Sequence, residues 1–163
     1  MSTVNRTDSS FLYHYTSIHH LPGILHLGYL KLTESNLHLD REMYKPVVWL
    51  TESASATGHG LEGGVADKHE IRITIKRKPD HQLWLIWSKE NRIDRALAQA
   101  LSKGKDSSSW WISEKPIPCS EFLSIENTRS GEVYYRFDPL KADPSQVLDK
   151  LRERAIRESQ SLF

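Results

Sequence analysis

Several side chains in this 163-residue sequence could do chemistry, and most of the familiar arrangements fail on spacing. Eight histidines suggest a metal, but there is no His-Glu-x-x-His pair, and the single Cys119 excludes the common zinc knuckles. His19, His20 and His26 share one predicted helix, while His14, His38, His59, His69 and His81 are scattered, so no metal is expected. The run Gly58-His59-Gly60-Leu61-Glu62-Gly63-Gly64 has neither the spacing nor the strand-to-helix setting of a phosphate loop. Nothing in the sequence places a histidine beside Cys119, so a spectator thiol is expected.

What remains is three segments. Phe11-Leu12-Tyr13-His14-Tyr15-Thr16-Ser17 carries an imidazole in an aromatic run. Val47-Val48-Trp49-Leu50-Thr51-Glu52 carries an indole in an apolar run, and Ser130-Gly131-Glu132-Val133-Tyr134-Tyr135 carries a carboxylate after a turn signal. A neutral imidazole hydrogen-bonds hydroxyls, and a fixed carboxylate stabilises developing positive charge or takes a proton. Glu126 and Glu114 compete with Glu132 for the acid's role. Each candidate also has a plain reading. His14 and Trp49 suit a core, and Glu132 suits a solvated strand edge.

The elements that must position these residues are short. Phe11–Tyr15 reads as a strand, and Thr16 or Ser17 caps a helix over about 18–27, with Pro22 in its first turn and Gly28 as its stop. Strands are expected at Tyr29–Leu32, Pro46–Leu50, Glu70–Ile75 and Leu83–Trp87. Further strands are expected at Trp110–Ile112, Phe122–Glu126 and Glu132–Phe137, the last a central one. Helices are expected over Ile93–Leu101 and over Pro144 to about Ser159. Thr33–Lys45, Ser53–Gly64 and Lys103–Ser109 read as loops. The sum is an α+β chain: a polar lead over 1–10, then one domain over 11–163.

Composition limits the function classes. The 22 basic and 21 acidic residues leave a net charge of +1, so bulk charge selects no nucleic-acid partner. One cysteine precludes an internal disulfide, and the polar N-terminal stretch lacks a signal-peptide apolar run. No run of about 18 apolar residues exists, so no membrane partner is expected and a cytoplasmic location is the default.

Taken in order, the three segments resemble the ADP-ribosyltransferase superfamily, in its branch with histidine first and glutamate last. The segment around His14, with Leu21-Pro22-Gly23-Ile24-Leu25-His26-Leu27-Gly28 behind it, is similar to the opening of DarT-type toxins. The segment around Trp49 resembles an aromatic-bearing strand of the poly(ADP-ribose) polymerase branch. The segment around Glu132 resembles the late strand that begins with the catalytic glutamate. The likeness covers roughly 11–137 in three islands. It implies a split, curved pair of small antiparallel sheets with flanking helices and NAD, as co-substrate, in the cleft between them.

The resemblance also implies roles. Glu132 would stabilise the oxocarbenium-like ribose as the nicotinamide bond breaks. His14 would bond a ribose hydroxyl on the adenosine side, with Thr16 as a second hydroxyl partner. The Tyr15 backbone would contact the nicotinamide amide, Trp49 would wall that end, and Thr51 would complete the pocket. An additional arginine of DarT-type toxins has Arg41 and Arg72 as its candidates here. The implied product is ADP-ribose on a macromolecular acceptor, whether DNA, RNA or protein, with a toxin or effector role and an antitoxin or inhibitor protein as a further partner. Two alternatives differ in kind: a non-catalytic module that binds NAD, ADP-ribose or nucleic acid, and an RNA 2′-phosphotransferase-like enzyme, for which no basic phosphate-gripping set is evident.

Overall fold

The computed structural model describes residues 10–32, 38–39, 42–43, 45–55, 67–103, 107–140 and 146–160. Arg41, residues 1–9 of the polar lead, most of the Thr33–Lys45 loop and residues 56–64, including the Gly-rich run, lie outside them.

Strands β1 (Phe11–Thr16), β5 (Val48–Thr51), β6 (Ile71–Lys76), β7 (Gln82–Leu83), β8 (Trp110–Ser113), β10 (Phe122–Asn127) and β11 (Val133–Arg136) form one seven-stranded sheet. Its order is β11-β10-β6-β1-β5-β8-β7, and its neighbouring strands run antiparallel. Two small ribbons accompany it: β2 (Tyr29–Leu30) with β9 (Ile117–Pro118), and β3 (His38–Leu39) with β4 (Glu42–Met43). Helices α1 (Leu21–Leu27), α2 (Trp84–Glu90), α3 (Arg95–Ser102) and α4 (Gln146–Gln160) complete the described chain. The architecture is mixed α+β, built on one large antiparallel sheet where a pair of small sheets was expected.

β6 shows why the sheet forms. Ile71, Ile73 and Ile75 alternate with Arg72 and Thr74, and the isoleucines are buried to within 1%. A period of two sends one set to each face. The isoleucine face joins Leu12, Leu50, Trp111, Phe122 and Ile125 in a first core, roofed by Leu21 of α1 and Val147 of α4. The other face carries a second core near β8, where Val47, Trp110 and Ile112 meet Trp84 and Trp87 of α2 and Leu97 of α3.

Local signals explain the helices. Gly28 ends α1 in the left-handed region at φ 84°, and its N–H reaches the Ile24 carbonyl. Ser17 caps the turn before α1 rather than the helix itself, its Oγ accepting from the His20 N–H at 3.3 Å. Asp94 caps α3, accepting from the Leu97 N–H at 3.1 Å.

Two expectations are corrected. Leu83–Trp87 is not a strand beyond Leu83; Trp84, Trp87 and Ser88 recur at helical spacing and are buried in α2. β11 is not central but the edge of the sheet, and Glu132 precedes it in a turn. Tyr134 and Tyr135 are both buried while Val133 and Arg136 are exposed, so the alternation expected for a central strand does not hold there.

Candidate functional site

The central strand β1 carries the first candidates, and its register assigns them to faces. Leu12 pairs with Ile75, His14 with Ile73 and Thr16 with Ile71, so His14 and Thr16 share the first-core face. Tyr13 pairs with Thr51 on β5, which sends Thr51 and Trp49 to the opposite face with Tyr13 and Tyr15. The five expected nucleotide contacts therefore divide. His14 and Thr16 lie on one side of the sheet, the Trp49 and Thr51 side chains on the other.

His14 is half-buried, and its Nδ1 stands 2.9 Å from the main-chain carbonyl of Trp49. A carbonyl only accepts, so Nδ1 holds the ring proton and Nε2 keeps a lone pair. Burial holds the imidazole below the ordinary histidine range, against the opposing pull of that carbonyl. His14 is thus a neutral hydrogen-bond acceptor through Nε2.

Thr16 is buried beside Ser17 at the end of β1. Trp49 packs among other indoles, with ring centroids 4.9 Å from Trp84 and 5.8 Å from Trp110. Thr51 is buried and structural: its Oγ1 accepts from the Ser53 N–H at 3.0 Å and lies 3.3 Å from Ser109 Oγ.

Tyr15 and Arg72 form a polar group on the second face. The Tyr15 hydroxyl donates to the Ser53 carbonyl at 3.0 Å, and burial pushes the phenol up against the opposing pull of Arg72. Arg72 donates through Nη2 to Glu126 Oε2 at 2.5 Å and through Nη1 to the Ala54 carbonyl at 2.8 Å. Its guanidinium lies 5.6 Å from the Tyr13 ring centroid.

The three acids differ sharply. Glu126 is tied to Arg72, with both side chains about three-quarters buried (25% and 23% exposed). Glu114 accepts from Trp87 Nε1 at 2.8 Å and from Lys45 Nζ at 3.1 Å, and these donors hold its carboxyl below the usual range. Glu132 is exposed in the β10–β11 turn, where its carbonyl accepts from the Asn127 N–H at 2.8 Å and its N–H donates to Ser130 Oγ at 3.2 Å. Two strands, β6 and β10, stand between the strand of His14 and the strand that Glu132 leads into. At about 4.8 Å per strand step, that is on the order of 14 Å across the sheet.

The turn that presents Glu132 is held by Asn127, a residue with no motif to mark it in the sequence. Its Oδ1 accepts from the Arg129 and Ser130 N–H groups, each at 2.9 Å, and its Nδ2 donates to Glu70 at 3.0 Å and to the Tyr134 hydroxyl at 3.3 Å. Gly131 takes the left-handed φ of 74° that closes the turn. The Ser130-Gly131 pair signals the turn, but only the fold identifies its anchor.

Among the described residues, no group of three or more His, Cys, Asp or Glu side chains could hold a metal ion. Among the same residues, no helix is long and apolar enough to cross a membrane. No family model, curated protein or solved structure matches this chain.

Proposed function

We propose that this chain is an NAD-dependent ADP-ribosyltransferase acting on a macromolecule, either a nucleic-acid base or a protein side chain, as a toxin or effector held in check by an antitoxin or inhibitor protein. The reading rests on the resemblance of the three segments, and on the large antiparallel sheet with flanking helices as the frame of a variant of that fold. The observation that carries it is the tautomer of His14. A neutral imidazole on the central strand, with Nδ1 anchored to Trp49 and Nε2 a lone pair, suits a ribose hydroxyl as donor.

In this reading NAD is substrate. The bond from nicotinamide to the ribose anomeric carbon breaks, a bond from that carbon to the acceptor atom forms, and the acceptor gives up a proton. Glu132 stabilises the positive charge that develops on the ribose and receives that proton. Its exposed place in the turn suits contact with a large acceptor.

The sheet order favours a second reading. With β6 and β10 between the two strands, a nucleotide held at His14 need not meet Glu132. The domain would then bind NAD, ADP-ribose or nucleic acid without turnover.

One experiment separates the two. The protein is incubated with NAD and, in turn, with DNA, RNA and a protein extract. Nicotinamide release is followed, and each polymer is weighed by mass spectrometry. Transfer gives an ADP-ribose mass addition on one class, abolished by Glu132→Gln with NAD binding retained. Unchanged transfer in Glu132→Gln removes that residue from its role and moves attention to Glu126→Gln. No release with any acceptor, beside measurable NAD binding, favours the binding module.

A further inference from the structure

The first-core face of the sheet carries a carboxylate beside His14 that the proposed transfer leaves unused. With Tyr13 opposite Thr51, His14 lies across from Leu50 and diagonal to Glu52. Diagonal neighbours on adjacent antiparallel strands share a face and stand roughly 7–8 Å apart at Cα. Glu52 continues the ladder past the end of β5, its N–H donating to the Ser109 carbonyl at 2.9 Å.

Trp111 confirms the facing of Glu52. It pairs with Leu50 from β8, belongs to the first core, and donates from Nε1 to Glu52 Oε1 at 2.6 Å. That bond fixes a half-buried carboxylate and leaves Oε2 without a hydrogen bond among the described residues. Arg77 follows Ile75 on the same face, and its guanidinium lies 5.2 Å from the Trp111 ring centroid.

The result is two acceptors, His14 Nε2 and Glu52 Oε2, on neighbouring strands and one face, with a cation at the border. Two acceptors on one face of neighbouring strands suit a ligand with paired donors, and a ribose cis-diol is such a ligand. The cation suits the phosphates attached to it.

We propose that Glu52 is a ribose-binding residue. With His14 it takes the vicinal hydroxyls of a ribonucleotide and gives this face its preference for ribose over deoxyribose. This inference rests on the nucleotide-binding part of the function proposed above.

Titration calorimetry with ADP and with 2′,3′-dideoxy-ADP tests it. The wild type binds ADP at least tenfold more tightly than the dideoxy analogue. Glu52→Gln loses about tenfold in ADP affinity and little for the analogue, because Gln keeps the bond to Trp111 but gives up the charge. Trp111→Phe, which frees the carboxylate, moves ADP binding in the same direction by less, and thermal melts verify that each variant folds. ADP binding unchanged in Glu52→Gln overturns the inference and leaves NAD cleavage, measured separately, untouched. ADP binding that depends on Glu52 without NAD cleavage upholds it and removes only the transferase reading. A wild type that binds neither nucleotide overturns both.

Discussion

His14 and Trp49 are joined through the main chain of Trp49 while their side chains leave the sheet on opposite faces. The imidazole therefore owes its orientation to a strand whose indole is packed elsewhere. This arrangement fixes the ring without using Nε2.

The first prediction concerns acid. Burial lowers the pKa of His14, and of His81, below the unfolded value of 6.5. The unfolded chain then binds protons first as pH falls, so the stability present above about pH 6.5 declines below it until the folded-state pKa values are reached. Urea unfolding from pH 8 to 5 should show this slope, and His14→Gln should flatten part of it. A slope unaltered by both His14→Gln and His81→Gln would remove these residues as its source.

How far the fold and site are legible in the sequence follows from the same residues. The β-rich α+β class, the helix stop at Gly28 and the strand of alternating isoleucines are local patterns, and the sequence carries them openly. Leu83–Trp87 misleads because an aromatic and branched run satisfies strand preference, while the buried face of α2 prefers helical spacing. Which face each site residue takes depends on the register of β1 against β5 and β6, a tertiary property. That is why His14 and Trp49 read as pocket partners, and why Glu52, one residue past β5, carries no signal of its own.

A second prediction concerns the pair on the far face. Arg72→Met leaves a three-quarters buried Glu126 without its guanidinium partner, and Glu126→Gln leaves Arg72 with a weaker acceptor. Each should cost about 1–3 kcal/mol, since breaking one partner exposes the other's desolvation penalty. A double-mutant cycle by chemical denaturation should give a coupling above about 0.5 kcal/mol. Additive costs would show that the two groups act independently.

Third, Asn127→Ala removes a buried amide that bonds two backbone N–H groups, a carboxylate and a phenol. A loss of about 2–3 kcal/mol is expected. Amide exchange should quicken at Arg129 and Ser130 more than at Ile73. Equal acceleration everywhere would mean that Asn127 serves global stability and not the turn.

Fourth, the buried Cys119 thiol is pushed up to about 11 by desolvation. At pH 8 it should react with a disulfide reagent far more slowly in the folded protein than after denaturation, because the thiolate is the nucleophile. Rapid labelling of the native protein would contradict its burial.

The indoles beneath β5 lie within one sheet's thickness of the imidazole above it. In the function proposed above, a nucleotide held at His14 would load the backbone to which Trp49 belongs, and Trp49 packs against Trp84 and Trp110. If that function holds, the chain carries its own optical gauge: emission from the far side would register occupancy on the near side, without any label attached.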